Sequence, residues 1–358
     1  DWSGVARVSV NVESPQLAIT EFNYNPASPT GDELAVDPNF DNDHFEFIEI
    51  QNVGTGPAEL TGYSFTDGVE YTFSSLTLEP QGYAIVVRNQ DAFQARYGTE
   101  HNVVGEYSGG LANRGDQLML SDVGDNVVLS FQYDDNDPWP ERADGSGATL
   151  ELIEPQRTPA EQYGKYYRWR AGTQFGGSPG APGEAPLGVV INEVRTRGGS
   201  QRSDPDTIEL YNPTDSPVDI GGMYLSDTDQ NFLKYKIPAG TMIPAGGYHL
   251  FDESDFNPTP NNPEDHHFAM SGTQGDDVWL VVVNESGNVV RFVDDVHFGA
   301  AEQGESFGRA PEGSGRLVPM TSITLEEPNS APRVGPLLIN EIQYHPGPPT
   351  VEALMTYP

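Results

Sequence analysis

The chain has 358 residues, 54 acidic against 18 basic, a formal net charge of −36 and no cysteine. That charge repels phosphate backbones and anionic lipid, so nucleic-acid and membrane-surface binding are excluded as primary roles. The missing thiols exclude cysteine catalysis, Cys-ligated zinc and disulfide frameworks, while 39 Gly and 30 Pro beside 16 Tyr, 16 Phe and 4 Trp describe a loop-rich β protein rather than a disordered chain.

The length predicts two or three domains. Residues 4–13 (GVARVSVNVE) alternate as one strand with nothing before it, and read as the last strand of a preceding domain over 1–15. The first apolar strand is 17–24 (LAITEFNY), followed by a Pro-, Asp- and Asn-rich stretch over 25–44 that reads as a long exposed loop. Next come Phe47–Asn52 (FIEIQN), a Gly62-Tyr63-Ser64 step and a turn at 80–83 (PQGY). Residues 91–97 could make one or two helical turns, and 115–120 (GDQLML) is a further strand. Residues 176–183 (GGSPGAPG) read as a Gly/Pro linker with little capacity to pack.

The same segments then return in the same order: 189–196 (VVINEVRT), 207–212 (TIELYN), Gly222-Met223-Tyr224, 245–248 (AGGY) and 275–280 (GDDVWL). A second linker runs over 328–336, and 337–344 (LLINEIQY) is the opening strand once more. Five matched segments at near-constant spacing mark a duplication. Short strands rich in Ile, Val, Tyr and Phe, separated by turn residues, predict β-sandwiches. The division is 16–175 for the first domain, 176–186 for the linker, 187–330 for the second domain, and 331–358 for a linker and the first strand of a third copy. The chain opens on Asp1, carries no signal peptide or membrane-length apolar run, and reads as an internal piece of something longer.

This ordered set resembles the lamin-tail domain, an immunoglobulin-like sandwich also found in large exported bacterial proteins. The resemblance rests on the opening strand with a Glu after its short apolar run, on Phe47–Asn52, on 222–227 (GMYLSD), on the two turns before Tyr83 and Tyr248, and on closing segments at 137–147 and 304–313. It covers roughly residues 16–330. It implies an all-β fold of tandem immunoglobulin-like sandwiches and a secreted or surface setting, and it carries no catalytic residues to transfer.

Several residues invite chemistry. Glu21, Glu49, Glu193, Glu209 and Glu341 recur inside apolar strands, where an ionised carboxylate is costly unless bonded. They are expected to accept backbone N–H groups at a strand end, with a cation site as the alternative. Calcium, the one cofactor considered, would need several convergent oxygens. Asp37, Asp41 and Asp43, then Asp134, Asp135 and Asp137, then Asp227, Asp229 and Asn231 could supply them, although the last run has Pro238 where an EF-hand loop needs its Glu. Solvated loops are the plainer reading of all three.

Ser178 and Ser306 sit in G-x-S-x-G patterns, but neither has the strand-then-helix context of a nucleophile elbow. Arg114-Gly115-Asp116 matches an adhesion tripeptide, yet Gln274-Gly275-Asp276 stands at the same place in the second copy, so a repeated turn explains it. His266-His267 lacks a companion at zinc spacing and reads as an exposed loop pair. Tyr163, Lys165, Tyr166, Tyr167, Arg168, Trp169 and Arg170 form the one basic, aromatic stretch, read either as packing on the first copy or as a docking patch for an acidic partner.

The expectation is therefore a non-catalytic structural or adhesive segment of a long extracellular or cell-surface protein, part of a filament or surface assembly. The alternatives are a calcium-assisted carbohydrate- or protein-binding module, or a targeting segment attached to an enzyme elsewhere. The partners would be other domains or copies of the same protein, with an extracellular glycan as the alternative ligand and no membrane insertion.

Overall fold

Leu17–Asn23 and Phe47–Asn52 are buried at every position, because each runs through the middle of a sheet that is covered on both faces. The computed structural model describes residues 16–196 and 205–333. In the first domain one sheet orders its strands Trp169–Ala171, Leu150–Leu152, Leu17–Asn23, Phe47–Asn52, Tyr83–Val87 and Val103–Glu106, antiparallel except for the last pair. Its partner sheet carries Val127–Gln132, Gln117–Ser121, Ser64–Asp67, Val69–Thr72 and Ser108–Gly109. Phe22, Ile48, Ile50, Phe65, Leu118 and Leu120 meet between the two sheets as an apolar core.

The second domain repeats this plan. One sheet orders Tyr248–Asp252, Thr207–Tyr211, Val190–Arg195, Phe307–Ala310 and Arg316–Pro319. The other orders Tyr235–Lys236, Tyr224–Ser226, Asp276–Val283 and Val289–Phe298. Register matches as well as order. Ile48 opposes Phe22 and Val86 as Ile208 opposes Val194 and Phe251, and Tyr83 and Tyr248 take equivalent places at the far end of the next strand. Both copies are β-sandwiches of one topology.

Two expectations are corrected. Residues 25–44 are not simply an exposed loop. They hold a helix, Gly31–Val36, started by a reciprocal cap between Thr30 and Glu33, and a 3₁₀ turn, Asn42–Phe45. Arg96, on the helix Gln90–Tyr97, donates from Nε to Glu33 Oε1 at 2.7 Å and lies 3.6 Å over the Phe45 ring. Phe40 and Phe45 are buried there with Ala92. The polar composition concealed the segment because its few apolar residues dock on a neighbouring element and leave no periodic run.

Residues 176–183 also pack, Ser178 being 8% exposed. Just before them, residues 173–175 leave the first domain and pair with the edge strand of the second. Phe175 N donates to Val290 O at 3.1 Å, Phe292 N donates to Thr173 O at 2.7 Å, and Gln174 opposes Arg291 antiparallel. Ala148, Phe232, Trp279, Val281 and Phe292 are buried together across this junction. Arg142 pairs with Asp295 and lies over the Phe292 ring, and Arg291 reaches Glu184 at 2.6 Å. The two domains are thus joined by backbone, apolar and ionic contacts at once.

The repeated Gly-Asp turn has a backbone cause. Gly115 and Gly275 have φ of 91° and 88°, and a Cβ on either would lie 2.6 Å from Tyr133 O or 2.3 Å from Phe298 O. Gly115→Ala and Gly275→Ala are each expected to cost about 1–3 kcal/mol, read as a lower urea midpoint, whereas Gly31→Ala, where a Cβ meets nothing, serves as the neutral control.

Candidate functional site

A β-bulge falls at the same place in both opening strands, between Ile19 and Glu21 and between Ile191 and Glu193. Beyond it Glu21 stands directly opposite Glu49, and Glu193 opposite Glu209. All four are at most 2% exposed. Like charges facing each other across a pair of strands are destabilising, so each site must supply donors or protons.

The backbone donors come from the segment that closes each domain, and Thr20, Thr149 and Asn192 add side-chain donors from within. Glu21 Oε1 accepts from Ser178 N at 2.8 Å and Thr149 Oγ1 at 2.6 Å, while Oε2 accepts from Ser178 Oγ at 3.2 Å. Glu49 accepts from Gly180 N and Thr20 Oγ1, both at 2.5 Å. In the second domain Glu193 accepts from Thr324 N at 3.2 Å and Thr324 Oγ1 at 2.9 Å, and Glu209 accepts from Glu326 N and from Asn192 Nδ2 at 3.0 Å. The rule is the same twice: a hydroxyl residue binds the first glutamate, and the amide two residues later binds the second.

Glu151 adds a third carboxylate to the first domain, opposite Glu21 on its other side and 4% exposed. Arg170 Nε donates to its Oε2 at 2.9 Å. A Cβ on Gly183 would fall 2.0 Å from Glu151 Oε2, and one on Gly177 would fall 2.1 Å from Glu21 Oε1. At these two positions the linker needs glycine because carboxylates occupy the space of a side chain. In the second domain Gly308 replaces Glu151, and the Asn329 amide stands over it, donating to Arg309 O at 3.0 Å.

Burial pushes the Glu21 carboxyl well above its usual range, and neighbouring Glu49 and Glu151 push it further. Burial also raises Glu49 and Glu209 to about 7 and lifts Glu151 against the pull of Arg170. Near neutrality Glu49 and Glu209 are therefore only partly ionised, unlike free carboxylates. A cavity of about 510 Å³ opens beside the first pair, with Gln81, Tyr83 and Arg170 in its wall.

A model of the lamin tail domain matches residues 12–135 and 182–299, more than half of the chain. This chain belongs to the lamin tail domain family. The domain is an immunoglobulin-like sandwich of non-enzymatic type, which points to a structural or protein-interaction module. No curated protein and no solved structure matches the chain. Ser178, Gly180, Thr324 and Glu326, which donate to the four glutamates, lie outside the matched residues, whereas Thr20 and Asn192 lie within them.

The aspartate runs do not converge on one point. Asp37 accepts from Asn39 N, Asp41 caps the 3₁₀ turn at His44 N, and Asp43 lies 3.4 Å from Arg88. Asp134 and Asp135 accept from Asn136, and Asp137 is 3.2 Å from Arg316. Asp227 pairs with Lys234, Asp229 accepts from Ser146 Oγ at 3.1 Å, and Asn231 Oδ1 accepts from Leu233 N. The basic stretch divides: Tyr163 and Trp169 are core residues stacked around Phe131, Arg170 serves Glu151, and Tyr166 and Tyr167 are 42% and 55% exposed beside Lys165 and Arg168. Ser178 is followed by the linker and Ser306 by the strand Phe307–Ala310, so neither sits on an elbow. Glu341 and the strands at 4–13 and 337–344 lie outside the described residues.

Sequence reading missed Glu151 and every donor of the two grips. The one available signal was Ser178-x-Gly180 set against Thr324-x-Glu326, which shares too few letters to be noticed before the structure aligns them.

Carboxyls whose folded pKa is raised add stability that is complete below their unfolded value and is lost as pH rises through the folded one. For Glu49 this places the loss between about pH 4.5 and 7, with an upper bound on the order of 3 kcal/mol. The melting temperature is expected to fall from pH 5 to pH 8, and Glu49→Gln, which keeps the neutral shape, is expected to flatten that dependence. Equal slopes in the variant and the parent would contradict the assignment.

Proposed function

We propose that this chain is a non-catalytic structural segment of a long extracellular protein, in which lamin tail domains are coupled into stiff units by strand sharing. The observation that supports this most is the pairing of residues 173–175 with the edge strand Val289–Phe298, backed by the buried group around Trp279 and Phe292. An edge strand filled in this way no longer invites indiscriminate pairing. The extracellular setting draws its support from the strongly acidic composition. Among the described residues no helix is long and apolar enough to cross a membrane.

Stiffness is testable by small-angle scattering. The parent should give one elongated envelope unchanged by salt, and Phe292→Ala with Trp279→Ala should broaden the distance distribution while each domain still melts cooperatively. A parent profile already fitted by freely jointed domains would overturn the proposal. Esterase, glycosidase and phosphatase assays should be blank, and a turnover abolished by Ser178→Ala or Ser306→Ala would refute the non-catalytic part.

A second, adhesive reading rests on Lys165, Tyr166, Tyr167 and Arg168. Two exposed tyrosines beside two cations on a chain of net charge −36 fit an acidic partner, another copy of this protein being the first choice. Sedimentation should show concentration-dependent association at low salt that Tyr166→Ser with Tyr167→Ser weakens.

A further inference from the structure

The loop that follows the short helix Glu253–Phe256 has no equivalent in the first domain, where the helix Gln90–Tyr97 and the strand Val103–Glu106 take its place. It is held at both ends. Phe256 and Phe268 stack with centroids 4.5 Å apart and planes within 12°, both buried in the second core. Met270 N donates to Asp206 Oδ2 at 2.9 Å. Between these anchors Pro258, Pro260 and Pro263 restrict the backbone.

Within the loop, His267 N donates to Glu264 O at 2.9 Å, and Glu264 N donates back to His267 Nδ1 at 3.2 Å. This reciprocal turn brings Glu264 beside both histidines, the carboxylate that spacing along the chain did not reveal. One potential ligand atom from each of Glu264, His266 and His267 lies within 4.8 Å of the others, and among the described residues no other three His or acidic groups converge so closely. His266 Nδ1 and Glu264 Oε2 are 3.7 Å apart, too far for a hydrogen bond. That distance is close to what two ligands adopt when each is about 2.0–2.2 Å from one ion. The two imidazole rings meet edge to face, at 69°, rather than stacking into a closed pair.

Two nitrogens and one oxygen are a poor set for calcium or magnesium, which take oxygen, and a good one for zinc, nickel or copper. We propose that Glu264, His266 and His267 form a surface site for a divalent transition metal, zinc in the first place, with the remaining coordination position left to water. Binding needs the ligating imidazole nitrogens free of protons, so affinity falls in acid.

Calorimetric titration of the full chain with Zn²⁺, in excess Mg²⁺ and Ca²⁺ to occupy oxygen-only sites, should show one saturable equivalent. His266→Ala and His267→Ala should each weaken it by at least about tenfold, the loss that even outer-shell changes cause at metal sites. Co²⁺ should give a visible d–d absorption in the parent that the double variant lacks. His266 is an exposed loop side chain, so circular dichroism should show the His266→Ala fold intact. Unsaturable binding in the parent, or unchanged affinity in the folded His266→Ala variant, would overturn the proposal.

Discussion

Two glutamates facing each other in a buried strand pair constrain more of this molecule than any other contact. Left alone, such a pair would be expelled or would break the register. It persists because the bulge before Glu21 and Glu193 aims the carboxyls at one rim of the sheet. There the closing segment supplies backbone amides and a hydroxyl, while the raised pKa of Glu49 and of Glu209, each about 7, removes part of the repulsion near neutrality. The exit path of each domain is therefore written into its opening strand. Side chains must vanish where carboxylates sit, hence Gly177 and Gly183, and the chain must leave in one direction.

Just upstream of the gripped segment, residues 173–175 lie against the edge of the next domain. The duplicated sandwiches share their inner faces, Leu120 and Leu280 being core residues at matching positions. Their outer faces differ. Where the first domain has Met119 and Ser121, the second has Trp279 and Val281, which are buried against the first domain. Duplication preserved the fold, and divergence on one outer face created a specific junction.

The all-β class, the duplication and the matching registers were legible because strand periodicity and repeated turns are local properties of the chain. The recurrence of glutamate inside apolar strands could be seen in the chain, since burial of an unpaired charge has so few remedies, and Glu21, Glu49, Glu193 and Glu209 each accept a backbone N–H group. The helix Gly31–Val36 was not, because it is stabilised by Arg96 from a distant helix rather than by its own apolar face. The packed linker was hidden for a related reason. Glycine at 177 and 183 signals either freedom or crowding, and only the position of Glu21 and Glu151 distinguishes them. The basic stretch left packing and docking open, and the structure divides it: Tyr163 and Trp169 are buried, while Tyr166 and Tyr167 are exposed.

The central claim, that buried carboxylates hold the exit segments in place, is tested most directly by amide hydrogen exchange resolved at single residues. Ser178, Gly180, Thr324 and Glu326 should exchange as slowly as neighbouring strand amides, and Glu21→Ala should release Ser178 while leaving Thr324 protected. Exchange of Ser178 and Gly180 at the rate of an unstructured Gly/Pro linker in the parent protein would contradict the account.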